Sequence, residues 1–275
     1  MKHLCVSPTI ETFVASGNGV KIGLDYLFIM RWGWESVGAG ASYAISQYLA
    51  LLVGLIFFCA QIKWQEVKAV ADKIWDTSAF KATLTLNGNI FANNFIILFA
   101  SVIFNYQSAG FGTIVYTQNA LSLQIFALSV YFVEGIGFGT ETLAGNFKSK
   151  GYSGHLAPLV VVSVVTSLIA GISFGLVSLL FPTTVFGLFT NHTELTQGIG
   201  VYLPWLLLVL ISGSVGFMLD GYYLGLAEGQ IIRNVSIGAI AIGFAPTVFA
   251  AWKLESNHIL WLAFFIFFAA RMVGN

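Results

Sequence analysis

The sequence is poor in charged residues. Only 9% of its 275 residues are Asp, Glu, Lys or Arg, whereas soluble globular proteins carry about 25%. Hydrophobic residues make up 57% of the chain, and the mean hydropathy is +0.84. A chain of this composition cannot present an ordinary wetted surface. It is therefore predicted to be an integral membrane protein whose first partner is the lipid bilayer.

Other absences narrow the possible functions. Twelve basic and twelve acidic residues balance to a net charge of zero, so no basic patch is available for nucleic acid. Cys5 and Cys59 fit neither a disulfide framework nor a metal-ligand spacing. The four histidines fall at the ends of apolar stretches or in loops, without an HExxH motif or a paired nucleophile. We therefore expect no enzyme, no metal site and no bound cofactor.

Long apolar stretches are present throughout the chain. A bilayer core needs about 20 mostly apolar residues per spanning helix, and eight stretches meet that length. They lie at 8–29, 36–60, 82–104, 118–144, 156–180, 199–226, 232–251 and 257–273. Each is far longer than a barrel strand of about 9–11 residues, and none alternates strictly. The fold class is predicted to be all-α, a polytopic transmembrane helical bundle with about eight spans.

The placement of lysine and arginine predicts an orientation. With eight spans, Arg31 and Lys253 fall on one side of the membrane and Lys21 lies inside a span. The other basic residues share the side that carries both termini: Lys2, Lys63, Lys68, Lys73, Lys81, Lys148, Lys150, Arg233 and Arg271. Because cytoplasmic loops are enriched in Lys and Arg, both termini are predicted to be cytoplasmic. The expected location is the cell (plasma) membrane.

Two carboxylates interrupt one apolar stretch. Glu134 and Glu141 are seven residues apart, nearly two helical turns, and are therefore predicted to share a helix face. A carboxylate at the centre of a membrane helix costs about 2.5–3.5 kcal/mol on the insertion scale. The functional interpretation is a proton or cation site. The alternative is capping by an amide or hydroxyl of a neighbouring helix, and Glu141 could also serve as an interfacial anchor.

Further polar residues fall within predicted spans. Asp220 is a third acid, and a turn at Gly221 that its carboxylate caps would explain it without a transport role. Four asparagines crowd one span, and ordinary hydrogen bonding between helices would explain them. They are Asn87, Asn89, Asn93 and Asn94. The candidate residues for binding a cation, a proton or the substrate are Glu134, Glu141, Asp220, Asn87 and Asn94.

Two kinds of local pairing are also predicted, an ion pair and pairs of glycines. Lys21 and Asp25 lie one helical turn apart and are expected to form an internal ion pair. Glycines recur at a spacing of four, which is typical of closely packed membrane helices. These pairs are Gly19 with Gly23, Gly135 with Gly139, Gly171 with Gly175, and Gly221 with Gly225.

Several longer stretches form a more specific pattern. They are LDYLF (24–28), GAGASYAISQYL (38–49), EGIGFGTETLAG (134–145), YLPWL (202–206), FMLDGYYLG (217–225) and NHILWLAFFIFFAAR (257–271). In this order and at these spacings, they resemble the multidrug and toxic-compound extrusion (MATE) family, in particular its DinF-like subgroup. The resemblance covers nearly the whole chain.

The resemblance implies an architecture and a function. Members have two six-helix lobes around a central cavity that opens alternately to either side. They are cation- or proton-coupled antiporters that export organic, drug-like compounds, with H⁺ or Na⁺ as the coupling ion. We therefore expect small organic substrates as partners.

The resemblance also implies a domain division. Residues 1–60 would be the last two helices of a partial N-terminal lobe, 61–81 a cytoplasmic amphipathic inter-lobe linker, and 82–275 a complete six-helix C-terminal lobe. The first four helices of the family pattern, with the acid of its first helix, have no counterpart. Glu134 stands where the subgroup usually has Asp, and Lys21 where an amide is more usual. We expect either an N-terminally truncated fragment or a chain that works with a second chain.

Three other functions remain open from the sequence. A flippase for lipid-linked precursors belongs to the same broad superfamily, but it would favour basic residues along its groove. A membrane fragment without transport activity would suit the missing helices. A membrane-embedded enzyme is disfavoured because no span holds paired catalytic residues.

Overall fold

The described part of the protein is helical apart from short turns. The computed structural model describes residues 19–61, 77–190 and 198–275, and these ranges contain no β-strand. Contacts divide the chain into two compact units, Met1–Thr77 and Ser78–Asn275. The prediction of an all-α bundle is confirmed.

The first unit contains two helices joined by a short turn. Residues 19–25 are α-helical and continue into the π-helical segment Tyr26–Arg31, and helix α1 follows at Glu35–Gln61. The Lys21 ammonium donates to the Asp25 carboxylate at 2.6 Å, which confirms the predicted ion pair. The buried Ser42 hydroxyl of α1 donates to the same carboxylate, so this acid ties the two helices together.

The second unit is built from six long helices. They are α2 (Thr77–Gly110), α3 (Thr113–Ser149), α4 (Leu156–Leu180), α5 (Leu203–Gly225), α6 (Gly229–Lys253) and α7 (Asn257–Gly274). A π-helical turn, Ala239–Phe244, interrupts α6. Pro246 has no backbone N–H to donate to the carbonyl of Ile242, which lies within this π-helical turn.

Seven of the eight predicted spans are present. Helices α1 to α7 are all long and apolar enough to cross a membrane. The first half of the remaining predicted span, 8–29, lies outside the described residues, and its second half, 19–29, is helical. Most of the predicted interfacial linker 61–81 also lies outside the described residues, and its residues 77–81 already belong to α2.

Helices α5 and α7 form the centre of the second unit. Helix α5 is the most buried of the candidate spans, and it packs against α3, α4 and α7. Helix α7 contributes a run of fully buried aromatic side chains, Trp261, Phe264, Phe267 and Phe268. Their rings meet edge to face and extend to Phe104 of α2. This aromatic core holds the helices that line the site described below.

Small residues bring α3 and α5 close together. A Cβ atom added to Gly221 would lie 2.5 Å from the Gly137 carbonyl oxygen, and one added to Gly225 would lie 2.3 Å from that of Glu141. Only glycine allows such an approach of two backbones. The predicted pair Gly221 and Gly225 is therefore confirmed as a packing surface.

The three other glycine pairs have different outcomes, and the prediction was wrong for Gly19 and Gly23, which have no described atom within 4 Å of an added Cβ. Gly171 approaches α5 as predicted, because an added Cβ would lie 2.7 Å from the Leu210 carbonyl oxygen. The prediction was wrong for Gly135 and Gly139, which have no atom within 4 Å of an added Cβ. Gly137 lies between them in sequence and therefore faces the opposite side of α3, which is the side that contacts α5.

Candidate functional site

Two cavities lie between helices α2, α3 and α5. The larger has a volume of about 570 Å³ and extends from Asn105 of α2 to Glu134 of α3. The smaller, of about 220 Å³, continues toward Asp220 of α5. Asn94, Glu134 and Phe217 line both cavities, so the two form one continuous track, which we call the acidic track.

Glu134 and Glu141 lie on the wall of the acidic track. Both line the smaller cavity, and Glu134 also lines the larger one. Both side chains are half-buried on α3, and they share one face of the helix as their spacing predicts. Neither carboxylate has a hydrogen-bond or ion-pair partner in the described part of the chain. The capping interaction considered for them is therefore missing among those residues.

Asp220 reaches the same cavity but is fully engaged. Its carboxylate forms a buried ion pair with Arg271 of α7. It also accepts hydrogen bonds from the side-chain amides of Asn93 at 3.2 Å and Asn275 at 3.0 Å. The suggested turn at Gly221 was wrong, because Gly221 lies within α5 and packs against α3. Asp220 joins helices rather than capping one.

Arg271 is the residue that the sequence interpretation misplaced. Its position near the end of an apolar stretch indicated a cytoplasmic surface charge, but the side chain is completely buried. Its Nε donates to the Ser236 hydroxyl at 3.1 Å, and its guanidinium lies 5.2 Å from the centre of the Phe217 ring. The predicted orientation of the chain in the membrane therefore rests on the other basic residues and not on Arg271. The sequence held one signal for this ion pair, because Asp220 and Arg271 lie in separate apolar stretches, 51 residues apart.

The four asparagines of α2 that the sequence analysis singled out have separate roles. Asn93 donates to Asp220 and accepts a 2.6 Å hydrogen bond from Ser236, and Asn89 accepts one of 2.7 Å from Arg233. Hydrogen bonding between helices accounts for these two, and the sequence interpretation did not include them among the site residues. Asn94 lines both cavities, whereas Asn87 is exposed and lines neither.

Among the residues that the structure describes, no positive charge compensates the carboxylates of Glu134 and Glu141 in the acidic track. The charge of Asp220 is offset by the guanidinium of Arg271, while no lysine or arginine lines either cavity. A charged carboxylate in a low-dielectric cavity favours binding of a proton, a small cation or a cationic organic group. No cluster of three or more metal-ligating side chains occurs in the ranges that the structure describes.

Comparisons with known proteins agree on one family. The MatE family profile matches residues 90–249. The chain is 26% identical over 255 residues to DNA damage-inducible protein F of Escherichia coli (strain K12), covering 93% of this chain and 55% of that protein. It is 23% identical to Protein DETOXIFICATION 43 of Arabidopsis thaliana, covering 97% of this chain and 49% of that one. The chain thus spans about half the length of these curated relatives.

Solved structures show the same fold. A variant of the Vibrio cholerae MATE transporter VcmN matches with a TM-score of 0.76 at 17% identity, covering 97% of this chain and 59% of that one. The eukaryotic MATE transporter AtDTX14 matches with a TM-score of 0.68 at 15% identity, covering 97% of this chain and 60% of that one. The resemblance drawn from the sequence motifs is confirmed.

Proposed function

Because the chain belongs to the MatE family, we propose that it takes part in cation- or proton-coupled export of organic, drug-like compounds across a membrane. The observation that carries this proposal is the acidic track, where Glu134 and Glu141 have no partner among the described residues and line a 570 Å³ cavity and its extension. Both residues fall within the part of the chain that the family profile matches.

The geometry suggests how exchange could occur. Glu134 lines both cavities of the track, so a proton or cation on its carboxylate and an organic group in the larger cavity would compete for one charge. Asn94, Ser101 and Asn105 line the opposite wall and offer polar contacts to a substrate. Aromatic side chains such as Phe217 and Tyr131 complete a mixed polar and apolar surface. Such competition couples release of one ligand to entry of the other.

The remaining features of the proposal concern the assembly. Relatives of about twice the length suggest that transport uses two lobes, with the additional helices supplied by a preceding segment or by a second chain. We place the protein in the plasma membrane, with both termini and the end of α3 that carries Lys148 on the cytoplasmic side, following the distribution of basic residues. No enzymatic activity forms part of the proposal.

Replacing Glu134 with Gln tests this function directly. We expect coupled efflux of ethidium from cells that express the protein to fall at least about tenfold, because the amide cannot exchange a proton. The matched control is Glu228→Gln, which removes an exposed acid at the α5–α6 turn, outside the acidic track. Unchanged efflux with unchanged pH dependence in Glu134→Gln would contradict the proposal. Absence of efflux in the unaltered protein would favour a fragment without transport activity.

The lipid-linked precursor flippase is the weaker alternative. Lipid carriers of this class bear phosphate groups, which are recognised by arginine and lysine. The lining of the acidic track contains neither. We therefore keep export of organic compounds as the proposed function.

A further inference from the structure

One aromatic ring borders both the acidic track and a buried positive charge. Phe217 of α5 is half-buried and lines both cavities of the track. The guanidinium carbon of Arg271 lies 5.2 Å from the centre of the same ring, yet Arg271 is completely buried and lines neither cavity. Phe217 therefore belongs to two environments, the track that holds Glu134 and the packed core around Arg271.

Asp220 completes the boundary between these two environments. It follows Phe217 by three residues on α5, so the two side chains are neighbours on one helix face. Both line the smaller cavity, together with Glu134 and Glu141. The Asp220 carboxylate accepts a hydrogen bond from Nη2 of Arg271. The positive charge is thus bonded to a residue of the cavity wall but does not itself line the cavity.

The guanidinium of Arg271 retains bonding capacity. Its Nε and Nη2 donate to a hydroxyl and a carboxylate, whereas the buried Nη1 has no hydrogen-bond partner in the described part of the chain. The rings of Phe217, Phe267 and Phe268 lie around the guanidinium, with centres 5.2, 5.7 and 5.8 Å from its carbon. Ring faces stabilise the charge, but a buried N–H group without an acceptor is costly. Arg271 would therefore bond to a further carboxylate that came within its reach.

We propose that Phe217 is a positioning residue, whose ring keeps the guanidinium of Arg271 from pairing with Glu134 or Glu141. Such a pair would neutralise the charge that the track offers to a proton or cation, because a nearby cation favours the ionised form of a carboxyl group. The ring explains how an arginine can lie close to the track without blocking it. The role in exchange rests on the proposed function, but the arrangement itself can be tested without transport.

The other charged groups around Glu134 cannot have the same effect. Besides Glu134, the titratable side chains that line the two cavities are those of Tyr131, Glu141 and Asp220. All of them are neutral or negative. Arg233 of α6 donates to asparagine side chains that do not line the cavities. Among the described residues, Arg271 is therefore the cation that contacts the lining of the track.

Labelling of the purified protein with dicyclohexylcarbodiimide tests the inference. This reagent modifies protonated carboxyl groups in apolar surroundings, and mass spectrometry of peptides measures the labelling rate at each acid. At neutral pH, Phe217→Ala should lower the rate at Glu134 at least about fivefold, because the guanidinium can then approach and favour the ionised carboxylate. Phe217→Val leaves a smaller gap, so it disturbs the fold less, and it should lower the rate about threefold.

Two controls separate this barrier from a general opening of the cavity. Phe126→Ala also removes a ring from the wall of the larger cavity, but Phe126 is not among the rings around the guanidinium. It should leave the rate at Glu134 nearly unchanged. The second control adds Phe217→Ala to a protein that already carries Asp220→Asn and Arg271→Met. Because the guanidinium is then absent, the added change should have no effect on that rate.

The outcomes distinguish this inference from the proposed function. An equal fall in labelling for Phe126→Ala and Phe217→Ala would mean that entry of water changes Glu134, and it would overturn the inference. A fall that persists after Arg271 has been replaced would overturn it as well. Neither result depends on efflux. Unchanged efflux in Glu134→Gln would contradict the proposed function alone, because the labelling rates report on the arrangement of Phe217 and Arg271 whether or not transport occurs.

Discussion

Helices α3 and α5 pack against each other, and the acidic residues that they carry differ in what surrounds them. Asp220 of α5 is buried and has three side-chain partners, one of them the guanidinium of Arg271. Glu134 and Glu141 of α3 are half-buried, line a cavity and have no such partner among the described residues. The same chemical group therefore serves packing in one place and is available to ligands in the other.

The difference teaches that an acid in a membrane span is not by itself a site. Burying a carboxylate is tolerated when a cation and amide donors surround it, and it then joins helices. Asp220 joins α5 to α7 and, through Asn93, to α2. A carboxylate that borders a cavity keeps its capacity to bind something else. This contrast predicts that replacing Asp220 lowers the stability of the fold, whereas replacing Glu134 or Glu141 leaves the stability nearly unchanged.

The largest effect is expected from removing the cation of the buried pair. Arg271→Met should lower the free energy of unfolding by about 3–5 kcal/mol, because it leaves the Asp220 carboxylate buried without its counter-charge. The measurement is thermal denaturation in detergent micelles. Asp220→Asn combined with Arg271→Met should recover more than half of the loss, since no charge is then left buried.

Arg233→Met is the control for that experiment. Arg233 bonds to Asn89 and to its neighbour Asn234 but has no acidic partner in the described ranges. We expect its replacement to cost about 1 kcal/mol or less. An equal loss for both arginine variants would mean that the Asp220–Arg271 pair has no special structural role.

A smaller effect is expected where α3 touches α5. Gly221→Ala should lower the free energy of unfolding by about 1–3 kcal/mol, because the added methyl would lie 2.5 Å from the Gly137 carbonyl oxygen. Gly135→Ala has open space around it and should be neutral or stabilising by up to about 1 kcal/mol. Denaturation midpoints of the two variants test this. Similar midpoints would mean that the close approach does not hold α3 against α5.

The sequence predicted helices and local pairs better than it predicted long-range partners. Apolar length alone located α1 to α7, and the four-residue spacing predicted the Lys21–Asp25 pair, because both depend only on near neighbours along the chain. The partner of Asp220 lies 51 residues away, and nothing local distinguishes Arg271 from a surface arginine. The glycine spacing likewise identified Gly221 and Gly225 but chose the wrong face of α3, since a small residue on either face gives the same pattern.

The smallest change in stability is expected at the acidic track. Glu134→Gln and Glu141→Gln should leave the free energy of unfolding within about 0.5 kcal/mol of the unaltered protein, because no described partner is lost. Asp220→Asn alone should destabilise the protein clearly, since it leaves the Arg271 guanidinium buried without its counter-charge. Denaturation of the three isosteric variants, side by side in one detergent, measures this. A loss at Glu134 as large as that at Asp220 would mean that Glu134 also holds the fold together, and the contrast between a packing acid and a ligand-binding acid would then fail.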